Sequence, residues 1–264
     1  MTATQKNILA LCLLPIVFCG CAAAPKMTAR LDVSSPEAAL EHLAVRLPAD
    51  ALLMVLADVR VATEAREGAY PLKLALLLKK PASLRVEAIP LFGPPAFFLS
   101  VRDRTMKVFL PQNNAFYIGR ATPENVRRFL PLKMGPEELV ALLTGTGQAP
   151  SGPDRLLRGR PEGDHYRIDL VEPRTRRSLW VRMTDGFLER LEVYEGDKRL
   201  YRVHFEEPFH TEGTVLPQKI TFVSEGIDGV SMSIRYREIH LLTDVDPEAF
   251  DLETPPGVEP AHLD

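Results

Sequence analysis

The densest group of side chains able to bind a metal lies late in the chain, at His204, Glu206, Glu207 and His210. Imidazoles and carboxylates are ligands that Zn²⁺ accepts in proteins. However, a proline and a phenylalanine interrupt this segment, and its spacing matches none of the common zinc motifs. We interpret the segment as a solvent-exposed hairpin, and we predict no metal site and no cofactor.

An acid–base pair is a second candidate for chemistry. His165 and Asp169 lie in an alternating run, so a strand would place both side chains on one face. No nucleophile accompanies them, because G-x-S-x-G, H-E-x-x-H and phosphate-loop motifs are absent from the sequence. A hydrolase would need a cleft in which His165 or His204 meets a nucleophile. We therefore predict that the protein is not an enzyme.

All three cysteines lie near the start of the chain, at Cys12, Cys19 and Cys21. Lys6 precedes an apolar run over residues 8–18, which is shorter than the roughly 20 residues that a membrane-spanning helix needs. A basic residue, a short apolar core and small residues after it are typical of an export signal. If Cys12 and Cys19 leave with that signal, the exported domain carries no unpaired thiol beyond Cys21, which suits an oxidising compartment.

The end of this segment, Phe18-Cys19-Gly20-Cys21, resembles the lipobox of bacterial lipoproteins. Phe18 and Cys19 depart from the usual Leu and Ala, whereas Gly20-Cys21 followed by alanines fits the pattern. The resemblance implies a signal peptide over residues 1–20, an acylated Cys21 and a tether over residues 21–34. Because residue 22 is not Asp, it also implies a lipid-anchored protein on the periplasmic face of the outer membrane. An ordinary cleaved signal, or an uncleaved N-terminal anchor, is the alternative.

The composition describes a folded domain after this tether. The chain has 264 residues and a formal net charge of −3, and no basic block predicts binding to nucleic acid. Arg174, Arg176 and Arg177 form a short basic run, which would contact lipid phosphate or an acidic partner, although a solvated turn is more common. We interpret residues 35–264 as one domain, large enough to bury a sizeable core.

Capping signals and apolar periodicity predict three helices. Ser35-Pro36-Glu37 begins the first, with a serine cap, a proline at the first helical position and an acidic residue near the positive end of the helix dipole. Thr122-Pro123-Glu124 and Gly135-Pro136-Glu137 begin the others, and Gly145 ends the third. Apolar residues three and four apart give each helix one buried face.

About twelve short apolar or alternating runs predict strands, and turn residues separate most of them. They cover residues 51–62, 72–79, 84–89, 96–102, 106–110, 115–118, 166–171, 178–183, 188–194, 200–205, 216–223 and 230–241. The short gaps predict hairpins and therefore an antiparallel sheet. The tail from residue 246 is too rich in proline for a strand, and we expect it to pack along an edge. A single sheet of this size must curl or split.

One amphipathic helix, six strands, a helical pair and six more strands behind a lipobox resemble the LolA/LolB family. The similarity is greatest between residues 72 and 145, where the stretch LRVEAIPLFGPPAFFLSVRDRTMKVFLPQNNAFYIGR reads like LolB-like lipoproteins of unassigned function. The closing FDLETPPGV is also similar. The resemblance implies an α+β fold, a strongly curved antiparallel half-barrel of about eleven or twelve strands with three helices covering its concave face. It also implies an apolar cavity that holds acyl chains.

An apolar loop, Ile-Pro-Leu-Phe-Gly-Pro-Pro over residues 89–95, joins two predicted strands. By the same resemblance it corresponds to the loop with which LolB touches the membrane, with Leu91 and Phe92 at its tip. Each side chain would contribute about 1.5–3 kcal/mol if fully buried in an apolar environment. That energy guides a contact but does not anchor the protein. Alternatively, both side chains fold back and cover the end of the sheet.

The cavity that the resemblance implies would be lined by apolar residues on the helices and on the strands facing them. For each residue alone, ordinary core packing is the alternative. The candidates are Leu40, Leu43, Leu74, Leu76, Val86, Phe98, Phe109, Phe129, Leu139, Leu142, Trp180 and Phe222.

The expected function is that of an outer-membrane lipoprotein that binds acyl chains or another lipophilic ligand and assists the placement of lipoproteins or lipids. Its expected partners are the membrane through the lipid on Cys21, acyl chains, and a periplasmic carrier protein. The alternative is a structural or adaptor lipoprotein that uses the same sheet to bind proteins. Periodicity does not decide between them, because it does not show whether the space under the helices is hollow.

Overall fold

The computed structural model describes residues 35–63, 66–90, 95–147, 155–211, 213–225, 229–243 and 246–263. Three α-helices lie in these residues: α1 (Pro36–Val45), α2 (Pro123–Arg127) and α3 (Pro136–Thr144). Short 3₁₀ helices cover Pro111–Asn113 and Pro247–Phe250. The three α-helices begin at the prolines that the capping signals indicate, so local sequence chemistry fixes where each of them starts.

Fourteen strands make up most of the described chain. They are β1 (Leu52–Thr63), β2 (Arg66–Lys79), β3 (Ser83–Ile89), β4 (Phe97–Arg102), β5 (Thr105–Leu110), β6 (Ala115–Arg120), β7 (Leu156–Glu162), β8 (His165–Val171), β9 (Thr175–Arg182), β10 (Leu188–Glu195), β11 (Lys198–Thr211), β12 (Thr214–Ser224), β13 (Val230–Leu242) and β14 (Pro260–His262).

The strands form one open, curved sheet in the order β14-β6-β5-β4-β3-β2-β1-β13-β12-β11-β10-β9-β8-β7. Neighbouring strands are antiparallel except β14, which runs parallel to β6. Pairing of β1 with β13 joins the half of the sheet built by β1–β6 to the half built by β7–β13. The helices lie over one face, which we call the concave face, and the architecture confirms the predicted α+β half-barrel.

Two strands exceed the number expected from the sequence. The first, β7, carries Arg158, Gly159, Arg160 and Pro161, and it lies almost fully exposed at one edge of the sheet. An edge strand has one neighbour and no buried face, so it lacks the apolar alternation that marks an inner strand. The second, β14, is a three-residue strand in the tail, which packs along the β6 edge.

The helix termini show why the capping residues in the sequence predicted the helix ends correctly. The hydroxyl of Ser35 accepts the backbone N–H of Ala38 at 3.1 Å, as an N-cap does. At the C-terminal end of another helix, α3, Gly145 has φ +65°, and a Cβ placed there would lie 2.9 Å from Cδ of Pro217. Only glycine meets both conditions at this helix end, because it has no Cβ and adopts positive φ without strain.

Both faces of the sheet carry apolar clusters. The larger one lies on the concave face under the helices and extends across both halves of the sheet. In a smaller one on the convex face, Phe98 stacks on Phe109 and Phe109 packs with a tilt against Phe116, with ring centroids 6.1 and 6.2 Å apart. Phe250 and Leu252 of the C-terminal segment are buried, and the carbonyl of Phe250 accepts a hydrogen bond from the hydroxyl of Ser100 on this face. The C-terminal segment therefore covers part of the convex face.

Candidate lipophilic site

The concave face of the first half of the sheet is an unbroken apolar surface. Cross-strand pairing places Val55 of β1, Leu76 of β2, Val86 of β3, Leu99 of β4 and Val108 of β5 in one row. All five are at most 5% exposed. Because side chains directly opposite in an antiparallel pair share a face, the row continues from strand to strand.

The second half repeats this arrangement. Ile168, Leu179, Leu191, Val203 and Phe222 stand opposite one another across β8 to β12. Each of these side chains is buried in the same core cluster as the first row. The two rows extend the apolar concave face across both halves of the sheet.

Helix α3 covers this face. Its Leu139, Val140, Leu142 and Leu143 side chains are buried, and the helix contacts β2, β3 and β12, so it lies across the central part of the sheet. The hydroxyl of the fully buried Tyr236 donates a hydrogen bond of 2.6 Å to the carbonyl of Leu143. This bond satisfies a carbonyl near the end of α3 that has no partner within the helix.

Helix α1 contacts β7 and is held at both flanks. The guanidinium of Arg46, just past the helix, donates to the carbonyl of Gly186 in the β9–β10 turn. The ammonium of Lys80, in the β2–β3 turn, donates to the carbonyl of Ala44. Burial lowers the pKa of Arg46 to about 10, with the neighbouring Asp185 acting in the opposite direction, so Arg46 remains charged at neutral pH.

A small polar group interrupts the apolar surface beneath α3. Glu138 of α3 accepts a hydrogen bond from the hydroxyl of Tyr201 on β11, and burial together with that carboxylate raises the pKa of Tyr201. Arg177 of β9 lies beside them on the concave face with a side chain only 16% exposed. Its Nη1 is buried without a hydrogen-bond partner, while Nη2 lies 3.4 Å from Glu172.

The space next to this polar group is small. A cavity of about 20 Å³ lies between α3 and strands β9 to β11, lined by Glu138, Leu142, Arg177, Leu179 and Tyr201 among others. This volume holds about one water molecule, whereas pockets for small ligands usually measure about 300–1,000 Å³. A larger ligand would therefore enter here only if α3 moved away from the sheet.

The structure places most of the predicted cavity residues together. Those buried in the concave core are Leu40, Leu43, Leu76, Val86, Leu139, Leu142 and Phe222, and Leu74 and Phe129 pack partly buried against them. Phe98, Phe109 and Trp180 lie on the convex face instead, so a cavity under the helices would not include them. Strand alternation had grouped the residues of each strand correctly, but it did not show which face the helices cover.

On the convex face, Trp180 is enclosed by charged side chains. The guanidinium carbons of Arg190 and Arg167 lie 3.6 and 4.8 Å from the indole ring centroid. The indole N–H donates to Glu162 at 2.8 Å. Such cation–π contacts explain how a buried tryptophan is accommodated on a polar surface.

The predicted tip of the membrane loop, Leu91 and Phe92, and the predicted acylation site, Cys21, lie outside the described residues. On either side of the loop, Pro90 and Ala96 are described, and the N–H of Ala96 donates to the carbonyl of Ala88 at 3.0 Å. The loop therefore begins and ends at the end of the β3–β4 hairpin.

Several of the polar groups considered for chemistry lie in ion pairs on the convex face. Glu206 accepts from Lys219 at 2.9 Å, and His165 lies 2.6 Å from Glu189. Asp169 accepts from Arg167 and Ser178 rather than from His165. The described ranges contain no group of three or more His, Cys, Asp or Glu side chains placed to hold a metal ion.

Sequence reasoning missed the concave position of Arg177. It had placed the arginine run in a turn, but β9 begins at Thr175, so the two consecutive arginines point to opposite faces. Arg176 stacks over the ring of Tyr194 at 4.0 Å on the convex side. Alternation counted back from Leu179 would have predicted that Arg177 faces the core.

No helix in the described part of the chain is long and apolar enough to cross a membrane. Neither a protein-family model nor a curated protein sequence matches the chain.

Solved structures do match it. A LolA superfamily protein from Nitrosomonas europaea aligns with a TM-score of 0.59 at 16% identity, over 83% of this chain and 98% of that one. A Vibrio parahaemolyticus domain named for outer membrane lipoprotein sorting aligns with a TM-score of 0.58 at 11% identity, over 82% and 97%. A DUF1329 family protein from Desulfovibrio piger gives 0.59 at 12% identity, over 82% and 95%. The chain therefore has a LolA/LolB-like fold.

Proposed function

We propose that this protein is a lipid-anchored lipoprotein of the outer membrane that binds acyl chains or a similar lipophilic ligand between α3 and the sheet. It would assist the placement of lipoproteins or lipids in that membrane and would act without bond-making chemistry. The observation that carries the proposal is the large apolar concave face under α3, which one small polar group interrupts. The similarity to a domain named for lipoprotein sorting supports it.

Ligand entry requires α3 to separate from the sheet. The contacts to be broken are mainly apolar, from Leu139 and Leu142, with the hydrogen bonds of Tyr201 and Tyr236 in addition. An acyl chain entering the gap would replace these apolar contacts with its own, at about 0.8 kcal/mol for each buried CH₂. Relative to an acyl chain in water, ligand binding would therefore offset part of the cost of opening.

The anchor and the membrane loop complete the proposed mechanism. Residues 1–20 would be removed as a signal peptide, Cys21 would carry the acyl chains, and residues 21–34 would tether the domain over 35–264. Several acyl chains anchor a protein stably because their contributions add. Leu91 and Phe92 would then touch the bilayer and direct release, while a periplasmic carrier protein would deliver the ligand.

The test is native mass spectrometry of the chain from residue 21 onward, exported behind a cleavable leader with Cys21→Ser to prevent acylation. We expect a co-purifying lipid or acylated peptide, or uptake of added palmitate. Leu142→Trp should abolish the adduct because the larger ring fills the space under α3. Leu77→Trp is the matched control, since Leu77 lies on the convex face opposite Met54. Thermal melting checks that both variants remain folded.

A second function is favoured by the small volume of the cavity beneath α3. In that case the sheet has a solid core and serves as a platform for a protein partner, as a structural or adaptor lipoprotein would. A bare mass without uptake of palmitate, together with a stable envelope partner in a pull-down, would support this function and refute the carrier proposal.

A further inference from the structure

A wide groove of about 790 Å³ lies on the convex face, on the side of the sheet away from α3. It is formed by β1, β2, β12 and β13 together with the ends of the β3–β4 connection. We call it the cationic groove, after its charged lining residues Asp58, Arg60, Lys73, Lys219, Arg235 and Arg237. None of them belongs to the site beneath α3.

The sheet register brings these charges together. Asp58 of β1 stands opposite Lys73 of β2 on one side and opposite Arg235 of β13 on the other. Lys219 of β12 stands opposite Arg235 in turn. Side chains in directly opposite positions lie about 4.5–5.5 Å apart at Cβ, so like charges here repel unless counter-charges compensate.

Carboxylates compensate three of the five cations. Asp58 accepts from Arg237 at 2.6 Å. Glu207 binds both terminal nitrogens of Arg235 at 2.6 and 2.7 Å, and Glu206 binds Lys219 at 2.9 Å. These carboxylates lie at the groove or at its border, so they must be counted with it. The two remaining cations give the groove a net positive charge.

Arg60 and Lys73 are those two cations. Within the described ranges neither makes an ion pair or a side-chain hydrogen bond, and both are exposed. Arg60 lies two residues after Asp58 on β1, with Pro71 opposite on β2 and Ser233 opposite on β13. The groove therefore offers a guanidinium and an ammonium that are free to bind an external anion.

The other wall of the groove is apolar. The exposed Pro71 stands opposite Arg60, and Ile89 stands opposite Lys73. Pro90 and Ala96 continue this wall. A free phosphate ion would use only the cationic wall. A ligand that matches both walls has an anionic group next to an apolar part, as a phospholipid has at the boundary between head group and acyl chains.

We propose that the cationic groove binds the phosphate head group of an anionic phospholipid at a membrane surface. Arg60 and Lys73 contact the phosphate, while Pro71 and Ile89 contact the apolar boundary beneath it. Pro90 and Ala96 line the groove and also border, in sequence, residues that are predicted to touch a membrane. The proposal goes beyond the lipophilic site under α3 and does not require that site to open.

The test is co-sedimentation of the same unacylated Cys21→Ser chain with vesicles of phosphatidylcholine alone or with added phosphatidylglycerol. We expect binding only to the phosphatidylglycerol vesicles, weakening as salt is added. The double variant Arg60→Gln/Lys73→Gln should raise the apparent Kd about fivefold for each cation removed, or roughly 25-fold in total.

The matched control is Arg104→Gln/Lys133→Gln, which removes the same charge from two exposed residues outside the groove. Arg104 lies in the β4–β5 turn, at the opposite end of β4 from Ala96. We expect its apparent Kd to stay within twofold of the unsubstituted protein. The proposal is overturned if the unsubstituted chain ignores phosphatidylglycerol, if the groove variant binds normally, or if the control pair weakens binding equally. Uptake of palmitate in the mass-spectrometric test is independent of each of these outcomes.

Discussion

The hydroxyl of Tyr236 forms a direct hydrogen bond between the sheet and α3. It donates at 2.6 Å to the carbonyl of Leu143, and the tyrosine is 1% exposed. Tyr236→Phe removes only the oxygen, so the ring continues to fill its place. The Leu143 carbonyl would then be buried without this donor, and leaving such a group unsatisfied costs about 1–3 kcal/mol.

We therefore expect Tyr236→Phe to lower the free energy of unfolding by about 1–3 kcal/mol in urea titrations. The melting temperature of a domain of this size should fall by about 2–4 °C per kcal/mol. The loss of stability should be greatest in α3, so hydrogen exchange of the α3 amides should accelerate more than that of the β1 amides. If α3 is the element that opens for a ligand, this variant should open more readily.

Tyr166→Phe provides the control for this prediction. Tyr166 is 8% exposed, and its hydroxyl makes no hydrogen bond within the described residues. Its removal should change the unfolding free energy by less than about 0.5 kcal/mol. Equal stability losses in the two variants, or an unchanged exchange rate in α3 of Tyr236→Phe, would show that the hydrogen bond does not hold the helix.

Three further predictions concern stability. Burial raises the pKa of both Tyr201 and Tyr236, so above about pH 10 the unfolded chain releases protons that the folded chain retains. The free energy of unfolding should therefore fall as the pH rises above about 10. It should fall less steeply in the double variant Tyr201→Phe/Tyr236→Phe. Gly145→Ala should cost more in urea titrations than Gly196→Ala, because both have positive φ and only Gly145 also lacks space for a Cβ. Ser35→Ala should destabilise the protein by about 1 kcal/mol in the same assay, since it removes the α1 cap.

Local signals in the sequence predicted the helices well. The caps at Ser35 and Thr122 and the glycine at 145 act within a few residues, so their chemistry can be read without knowing the fold. The inner strands were predicted equally well, because burial of one face requires apolar and polar residues to alternate along the strand. The order of elements then resembled the LolA/LolB family, and the structure confirms that architecture.

Features that depend on distant pairing could not be predicted in the same way. Phe98 and Trp180 are residue types that are common in protein cores. The C-terminal segment that covers part of the convex face comes from far along the chain, and the arginines around Trp180 come from the neighbouring strands β8 and β10. The cationic groove needs β1, β2, β12 and β13 in register, and no local pattern indicates that Lys73 and Arg235 flank one aspartate. The volume beneath α3 depends on side-chain packing, which periodicity does not determine.

The pairing of β1 with β13 has a consequence for synthesis and export. β1 begins at Leu52, but its partner on one side spans Val230–Leu242, so most of the chain must emerge before the centre of the sheet can close. Contacts of such long sequence separation form slowly, because a large loop must close first. Until then β1 presents an unpaired edge rich in Leu and Val, which is prone to aggregation. The interval between the synthesis of β1 and that of β13 is therefore the time at which this chain is most exposed to aggregation.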